Sequence, residues 1–351
     1  MRDLGRGPSL GCGDRGERRV EDSRACLSMG GGVSKLASVY GPVTDDLPRV
    51  ADRLLELASE HDRLLGETLE HVFQSGGKLI RPALVLLSGR LGSYPIDELV
   101  TLAASLEVVH TATLVHDDTI DGALTRRGVP TVSAVWDGKV AILVGDFLLA
   151  LSAQLASLLD SVRIMRLLSE TVMAMSSGEL RQYAASSSHA VDEADYFQRI
   201  AGKTASLFAM CCEGAAIISG QSEEEIAALR AYGSNLGLAF QISDDVLDFR
   251  GDEKTLGKPA GNDLLQGTIT LPVILLASRL PAGSSLGRDI AEGRNVKAVV
   301  EAVRGSDVLD VSIERAGGYA SRAREALRGF GDSEAKETLV ALTEQVTERR
   351  A

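Results

Sequence analysis

The distribution of prolines constrains this fold most, because residues 131–258 contain none. Proline kinks or breaks the interior of a helix, so an uninterrupted stretch of this length suits several long helices. Alanine and leucine, which favour helices, are abundant in it, and the apolar–polar alternation of half-buried strands is absent. The sequence therefore predicts an all-α fold of stacked helices with a buried central layer.

Apolar periodicity places the remaining elements. Apolar residues recur at three- and four-residue steps over 47–73, which predicts one amphipathic helix. Gly76-Gly77 ends that helix, and Arg81-Pro82 starts the next with proline in its first turn. The other predicted elements are a helix over 96–122, loops over 126–130 and 249–271, and a helical tail from 282.

Residues 1–36 differ from the rest, being rich in Gly, Arg and Ser without a periodic apolar face. We expect them to form a disordered N-terminal extension, followed by a single catalytic domain over 37–351. The extension lacks the apolar core of a signal peptide, and its acids argue against a mitochondrial transit peptide. The sequence leaves Met29 open as an alternative start.

Composition and charge exclude several protein classes. The chain is 44% apolar and 25% charged, as in soluble globular proteins, and no run reaches the ~18 apolar residues of a membrane span. Its net charge of −12 would repel a phosphate backbone, so no nucleic-acid partner is expected. Four cysteines, including the adjacent Cys211 and Cys212, do not form a disulfide framework, which indicates a reducing, cytoplasmic location.

Two acidic motifs of the form DDxxD lie on predicted helices, at 117–121 and 244–248. Residues four apart share one helix face, and Mg²⁺ prefers such oxygen ligands, usually shared with substrate phosphates. A solvated acidic helix end would explain either motif alone, but two identical motifs, each after an apolar turn, favour a metal site. The candidate ligands are Asp117, Asp118, Asp121, Asp244, Asp245 and Asp248.

Basic residues accompany the motifs, namely Lys78, Arg81, Arg126, Arg127, Lys203 and Lys258. Arginine suits bidentate phosphate contacts, and lysine supplies a point charge. Six aspartates, one diphosphate and about three Mg²⁺ ions would leave roughly three negative charges, which Arg126, Lys203 and Lys258 would offset. The other three cations are enough for a second diphosphate, so two diphosphate substrates are predicted, one held through metal and one held directly.

In the order and spacing of longer segments, the chain from about Leu47 onward resembles the trans-polyprenyl diphosphate synthases. These segments are SGGKLIRP, HTATLVHDDTIDGALTRRGVP, GDFLLA, KTASL, FQISDDVLDF and LGKPAGNDLLQGTITLP. The resemblance implies an isoprenoid-synthase helical bundle around a central apolar cavity, with the two acidic motifs facing across its mouth. It also implies a homodimer that joins isopentenyl diphosphate head-to-tail to an allylic diphosphate, with Mg²⁺ as cofactor.

The resemblance also assigns roles to residues. The six aspartates match the family's Mg²⁺-binding acids, Arg126 its allylic-diphosphate arginine, and Lys203, Thr204 and Gln241 the catalytic groups of the allylic site. The residues that match the isopentenyl-diphosphate site are Lys78, Arg81, His110 and Arg127. His116 is expected to be structural. Thr268 stands where many relatives carry lysine, so we expect Lys258 to contribute more of the diphosphate contact.

Product length is predicted from the helix that carries the first motif. Val109, Ala112 and Thr113 lie eight, five and four residues before Asp117, on the expected path of the growing chain. None is a bulky aromatic, so the chain can pass two or three helical turns, which indicates a product longer than farnesyl. The resemblance extends this to about six to ten isoprene units, the length of a quinone side chain, with transient membrane contact for product release.

Three alternatives stay open. A short-chain farnesyl or geranylgeranyl diphosphate synthase would share both motifs. A terpene cyclase or head-to-head synthase would share the cavity but needs no second diphosphate site. A regulatory subunit would be marked by the loss of one acidic motif, and both are intact.

Overall fold

A computed structural model of the protein describes residues 39–75, 77–188, 191–251 and 260–348. Within these ranges the regular secondary structure is helical apart from one two-stranded hairpin, so the predicted all-α class is confirmed. The predicted N-terminal extension, residues 1–36, lies outside the described residues.

The helices follow one another with short connections. The first half contains a 3₁₀ turn (Gly41–Val43), α1 (Leu47–Ser59), α2 (Arg63–Gln74), α3 (Ile80–Gly89), α4 (Ile96–Ile120), β1 (Thr125–Arg126), β2 (Val129–Pro130), α5 (Val132–Val135), α6 (Gly138–Ser157) and α7 (Val162–Ser188). The second half contains α8 (Glu193–Ile200), a π-helical segment (Ala201–Ala205), α9 (Ser206–Ile218), α10 (Glu223–Arg250), α11 (Asn262–Leu265), α12 (Leu271–Arg279), α13 (Ser285–Ala291), α14 (Val296–Arg304), α15 (Val308–Ala326) and α16 (Glu334–Thr347).

The long helices pack side by side around one core. α4 packs along α6, and α10 packs between α9 and α15, while α3 contacts both α4 and α9. Every residue of α3 from Pro82 to Gly89 is buried, as expected for a helix that is apolar all round. The predicted buried central layer is therefore formed by α3, α4, α9 and α10.

Local signals explain where the helices of the site begin. Ser222 and Glu225 form a capping box that satisfies the first backbone donors of α10. Asp192 caps α8 by accepting hydrogen bonds from the amides of Ala194 and Asp195. Both caps fix helices that present side chains to the second acidic motif.

Some predicted elements differ from the structure. The single helix predicted over 47–73 is two helices, because Asp62 adopts an extended conformation that starts α2 after α1 has ended at Ser59. The apolar periodicity continues across this break because both helices bury a face in the same core. The predicted loop over 126–130 is an antiparallel hairpin whose turn, Arg127-Gly128, has positive φ at both residues.

Three helical stretches are long and apolar enough to cross a membrane by length and composition alone, whereas counting consecutive apolar residues had predicted none. They are Ile96–Ile120, Gly138–Ser157 and Glu193–Ile218. The most apolar 18 residues of these stretches are 61%, 44% and 67% buried inside the protein, respectively. Packing thus accounts for most of the apolar surface of the first and third stretches. α6 keeps more of its apolar surface exposed.

Candidate active site

The first acidic motif occupies the last turn of α4, and Asp121 caps its end. Asp118 is buried and accepts a hydrogen bond from Arg126 Nε at 2.7 Å. Arg126 comes from the hairpin that follows α4, so the turn at Arg127-Gly128 brings a predicted diphosphate ligand back onto the motif. Asp118 therefore already has a protein partner, the Arg126 guanidinium, without a metal ion.

Asp117 faces a lysine from a distant segment. Lys203 Nζ lies 3.6 Å from Asp117 Oδ2 and 2.5 Å from Glu179 Oε2. Burial raises the pKa of Asp117 to about 6; Lys203 opposes the shift, and Glu179 and Asp121 add to it. No motif marks Glu179 in the sequence, so it was not predicted as a site residue.

Lys203 lies in the π-helical segment between α8 and α9, a local irregularity that often marks functional sites. Burial lowers the pKa of Lys203, but Asp117, Glu179 and Asp121 together outweigh burial and the net shift is upward. Lys203 thus stays charged at neutral pH, as a diphosphate ligand requires.

The second acidic motif ends α10 and is connected by a chain of hydrogen bonds. Asp245 accepts from the Tyr196 hydroxyl at 2.6 Å and from Gln241 Nε2 at 2.8 Å. Thr204 Oγ1 in turn donates to Gln241 Oε1 at 2.7 Å. Burial raises the pKa of Asp245 well above its usual value, with Asp263 adding to the shift. Tyr196 lies seven residues before Lys203 and was not predicted as a site residue, because no motif marks it.

The six aspartates differ in what they contact. Asp248 accepts hydrogen bonds from the amides of Asn262 and Asp263, at 3.2 and 3.3 Å, while Asp121 and Asp244 are exposed. Asp118, Asp245 and Asp248 are thus oriented by protein donors. Asp121 and Asp244 present their carboxylates to the solvent side of the site.

The donor set fits Mg²⁺. Within the described ranges, no three His, Cys, Asp or Glu side chains converge as a metal cage. Mg²⁺ does not need one, since it is usually bound through one or two carboxylates together with waters and substrate phosphates. Carboxylate oxygens are the donors that both motifs supply.

A cavity of about 550 Å³ lies beside the first motif. Its polar wall includes Glu107, His110, Arg126 and Arg127, and its apolar wall comes from α1, α2 and α4. Burial lowers the pKa of His110 well below its usual value, and Arg81, Arg127 and Arg126 lower it further, so His110 is neutral. The cavity thus combines two arginines and a neutral donor with an apolar wall.

Glu107 lines the cavity, whereas Arg81 is not among its lining residues but acts by its charge on Glu107 and His110. Burial lowers the pKa of Arg81, while Glu107 and Cys211 oppose the shift. Burial raises the pKa of Glu107, against the influence of Arg81 and Arg127. The Arg81 guanidinium lies over the ring of Phe208, 5.1 Å from its centroid. Glu107 was not predicted as a site residue, although its position one helical turn before His110 could have suggested it.

The other predicted site residues are spread more widely. Lys78 is exposed, and its backbone carbonyl accepts a hydrogen bond from the Tyr40 hydroxyl. The backbone amide of Thr268 donates to the carbonyl of Asp263 at 2.8 Å. The His116 ring packs over Gly145, with Nε2 3.2 Å from the carbonyl oxygen of Ile142. Lys258 lies outside the described residues.

The residues predicted to border the growing chain are not on the cavity wall. Ala112 and Val109 are fully buried, and the Thr113 hydroxyl donates to the carbonyl of His110. α4 instead lines the cavity through a neighbouring face that includes Thr111 and Leu114. The chain path past Ala112 therefore stays a prediction.

Together, a helical bundle, two carboxylate motifs contacted from the adjacent residues Lys203 and Thr204, and a cationic cavity define the isoprenoid synthase class. The polyprenyl synthetase family model matches residues 62–305. The chain belongs to the polyprenyl synthetase family, which confirms the resemblance found in its sequence.

Relatives and solved structures agree with this assignment. The chain is 34% identical to heptaprenyl diphosphate synthase component 2 of Bacillus subtilis, covering 95% of this chain and 96% of the relative. It is 36% identical to an all-trans-nonaprenyl-diphosphate synthase of Rhodobacter capsulatus, over 89% and 97%. A crystal structure of a Caulobacter crescentus polyprenyl synthase complexed with calcium and isoprenyl diphosphate superposes with a TM-score of 0.82 at 34% identity, covering 91% of this chain and 98% of that one.

Proposed function

We propose that this enzyme condenses isopentenyl diphosphate with an allylic diphosphate to make a long-chain all-trans polyprenyl diphosphate, with Mg²⁺ as cofactor. The observation that carries this proposal is the pair of acidic motifs joined through Lys203 and Thr204. One motif lies beside a second cationic region. A terpene cyclase has no need of that second region.

Each part of the site has a task in this reaction. About three Mg²⁺ ions would be held by Asp117, Asp121 and Asp244, with Asp118, Asp245 and Asp248 oriented around them. When bound, Mg²⁺ would neutralise the charge of the departing diphosphate. Lys203 and Arg126 contact the same diphosphate as direct donors. Thr204 and Gln241 present dipoles to the allylic cation, and the surrounding helices exclude water that would quench it.

The second substrate occupies the cavity. Arg127, Arg81 and Lys78 hold the diphosphate of isopentenyl diphosphate, and neutral His110 donates to it. The apolar wall formed by α1 and α2 receives the five-carbon group. Its double bond attacks the allylic cation, and the proton released from the adjacent carbon passes to the departed diphosphate.

A long product is favoured by the relatives named for heptaprenyl and nonaprenyl chains. The sequence adds that Ala112 and Thr113, one helical turn before the first motif, carry small side chains, although neither lines the cavity. We infer a chain of about six to ten isoprene units, suited to a quinone side chain. Synthesis in the cytoplasm would end with transient membrane contact, because such a chain is too apolar to leave into water.

A homodimer is the proposed assembly. α6 and α7 pack on each other and expose apolar side chains, namely Ile142, Leu143, Met173, Leu180 and Tyr183. An apolar face of this kind suits burial against a second copy. Light scattering after size exclusion should give the dimer mass, and Leu143→Glu should shift it to the monomer. Leu64→Glu, an exposed leucine on α2, is the matched control.

The decisive experiment incubates the protein with farnesyl diphosphate, isopentenyl diphosphate and Mg²⁺ and separates the products by chromatography. We expect a ladder that ends at long chains. Asp117→Ala and Asp244→Ala should each lower turnover by orders of magnitude, whereas Asp97→Ala, on exposed Asp97 of the same α4, should not. Pyrophosphate release that does not depend on isopentenyl diphosphate would indicate a cyclase instead.

A further inference from the structure

The Lys203 ammonium lies between two carboxylates from different helices. Glu179 Oε2 of α7 is 2.5 Å from Nζ, and Asp117 Oδ2 of α4 is 3.6 Å from it. Glu179 is the nearer partner, although only Asp117 belongs to an acidic motif. Asp121 and Arg126 are the other charged groups that act on Asp117.

The backbone is built to bring these residues together. α7 crosses the π-helical segment where Gly178 precedes Glu179 and Gly202 precedes Lys203. A Cβ at Gly178 would lie 2.7 Å from the Lys203 amide nitrogen, and one at Gly202 would lie 2.7 Å from the Ala174 carbonyl oxygen. Only glycine at both positions allows this close approach, which carries Glu179 to Lys203.

We propose that Glu179 is a positioning residue of the metal site, which holds the Lys203 ammonium away from Asp117 and so leaves that carboxylate available to a divalent cation. A lysine with no other partner would pair with Asp117 and compete with the cation for the same oxygen. With Glu179 as the closer partner, one N–H group of the Lys203 ammonium is hydrogen-bonded. The other N–H groups can then donate to the allylic diphosphate. The inference rests on the proposed metal site at Asp117.

The test measures binding of Mn²⁺ alone to the full chain, by the loss of the free-ion electron paramagnetic resonance signal. Glu179→Gln should weaken Mn²⁺ binding about tenfold, the range expected when a residue that orients a metal ligand is removed. In a Lys203→Met background the same change should alter binding less than about twofold, because no ammonium then competes for Asp117. Glu179→Asp, which keeps the charge but shortens the arm, should weaken binding by an intermediate amount.

Two outcomes would overturn the proposal. An equal loss in both backgrounds would make Glu179 a direct ligand or a simple local charge, and a loss below about twofold in the Lys203-containing protein would give it no role.

Glu170→Gln, on exposed Glu170 of the same helix, is the control for a change of net charge. Asp117→Asn reports separately on the metal site: if that variant binds Mn²⁺ like the parent protein, the metal site at Asp117 fails and the role of Glu179 fails with it, whereas a loss in Asp117→Asn without a loss in Glu179→Gln overturns only the role of Glu179. Unfolding midpoints of all variants are compared to confirm that each is folded.

Discussion

Lys203 and Thr204 are neighbours in the chain, yet their side chains serve different acidic motifs. Lys203 reaches Asp117 of the first motif, and Thr204 reaches the second through Gln241 and Asp245. Both residues lie in the π-helical segment, and adjacent residues of a helix point in clearly different directions, about 100° apart in a regular α-helix, so one short segment can serve both motifs. The segment thereby fixes the two halves of the site relative to each other.

Tyr196 should matter for catalysis although it contacts neither proposed substrate. Tyr196→Phe removes the 2.6 Å hydrogen bond to Asp245 and leaves that buried carboxylate to Gln241 alone. We expect the Mg²⁺ concentration for half-maximal turnover to rise by roughly tenfold or more, measured by steady-state kinetics. The control is Tyr232→Phe, which removes a buried hydroxyl that donates to the Leu339 carbonyl elsewhere in the bundle. This variant should leave the Mg²⁺ concentration for half-maximal turnover unchanged. Equal behaviour of the two variants would contradict the role of Tyr196.

The cationic region beside the first motif should bind isopentenyl diphosphate selectively. Arg81→Ala or Lys78→Ala should raise the KM for isopentenyl diphosphate, since loss of a charge-assisted hydrogen bond costs about 1.5–3 kcal/mol, or about ten- to a hundredfold. The KM for the allylic substrate should change far less. Arg90→Ala, at the other end of α3, serves as control because Arg90 pairs with Asp46. Parallel increases in both KM values would reject the division into two sites.

His110 should act as a neutral donor. Its pKa lies well below the usual value, chiefly because of burial and then because of Arg81 and Arg127, so it stays uncharged as the pH falls through the range where an exposed histidine gains a proton. We therefore expect the pH profile of kcat/KM for isopentenyl diphosphate to contain no step from His110 between about pH 6 and 8. The parent enzyme and His110→Gln should have the same profile in that range. The variant should remain within about threefold of the parent enzyme, because glutamine is also a neutral donor. A step near pH 6.5 that disappears in His110→Gln would show that the imidazolium binds substrate.

Product length provides a test of the chain path. Ala112→Phe should place an aromatic floor under the first motif and shorten the main product while the first condensation continues, as read by product chromatography. The matched variant is Thr111→Phe, which projects into the cavity and should raise the KM for isopentenyl diphosphate without shortening the product. Ala112 is fully buried, so a milder Ala112→Leu variant guards against overpacking. Full-length product from both Ala112 variants would place the length determinant elsewhere.

The sequence by itself determined the fold class, the two acidic motifs and most of the basic residues, because helix periodicity, proline placement and motif spacing are local properties of the chain. Local signals also misplaced some boundaries. The break between α1 and α2 is hidden because both helices bury one face in the same core, which keeps the apolar period unbroken.

Only the tertiary structure decided which charged groups meet. Glu179, Tyr196 and Glu107 carry no motif, and their importance comes from helices that are distant in sequence but adjacent in space. Burial then sets the charge state of His110 and Asp117, because desolvation depends on every neighbouring helix and not on the sequence around either residue. The sequence supplied the chemical groups, and close helix packing through Gly178 and Gly202 determined which of them act together.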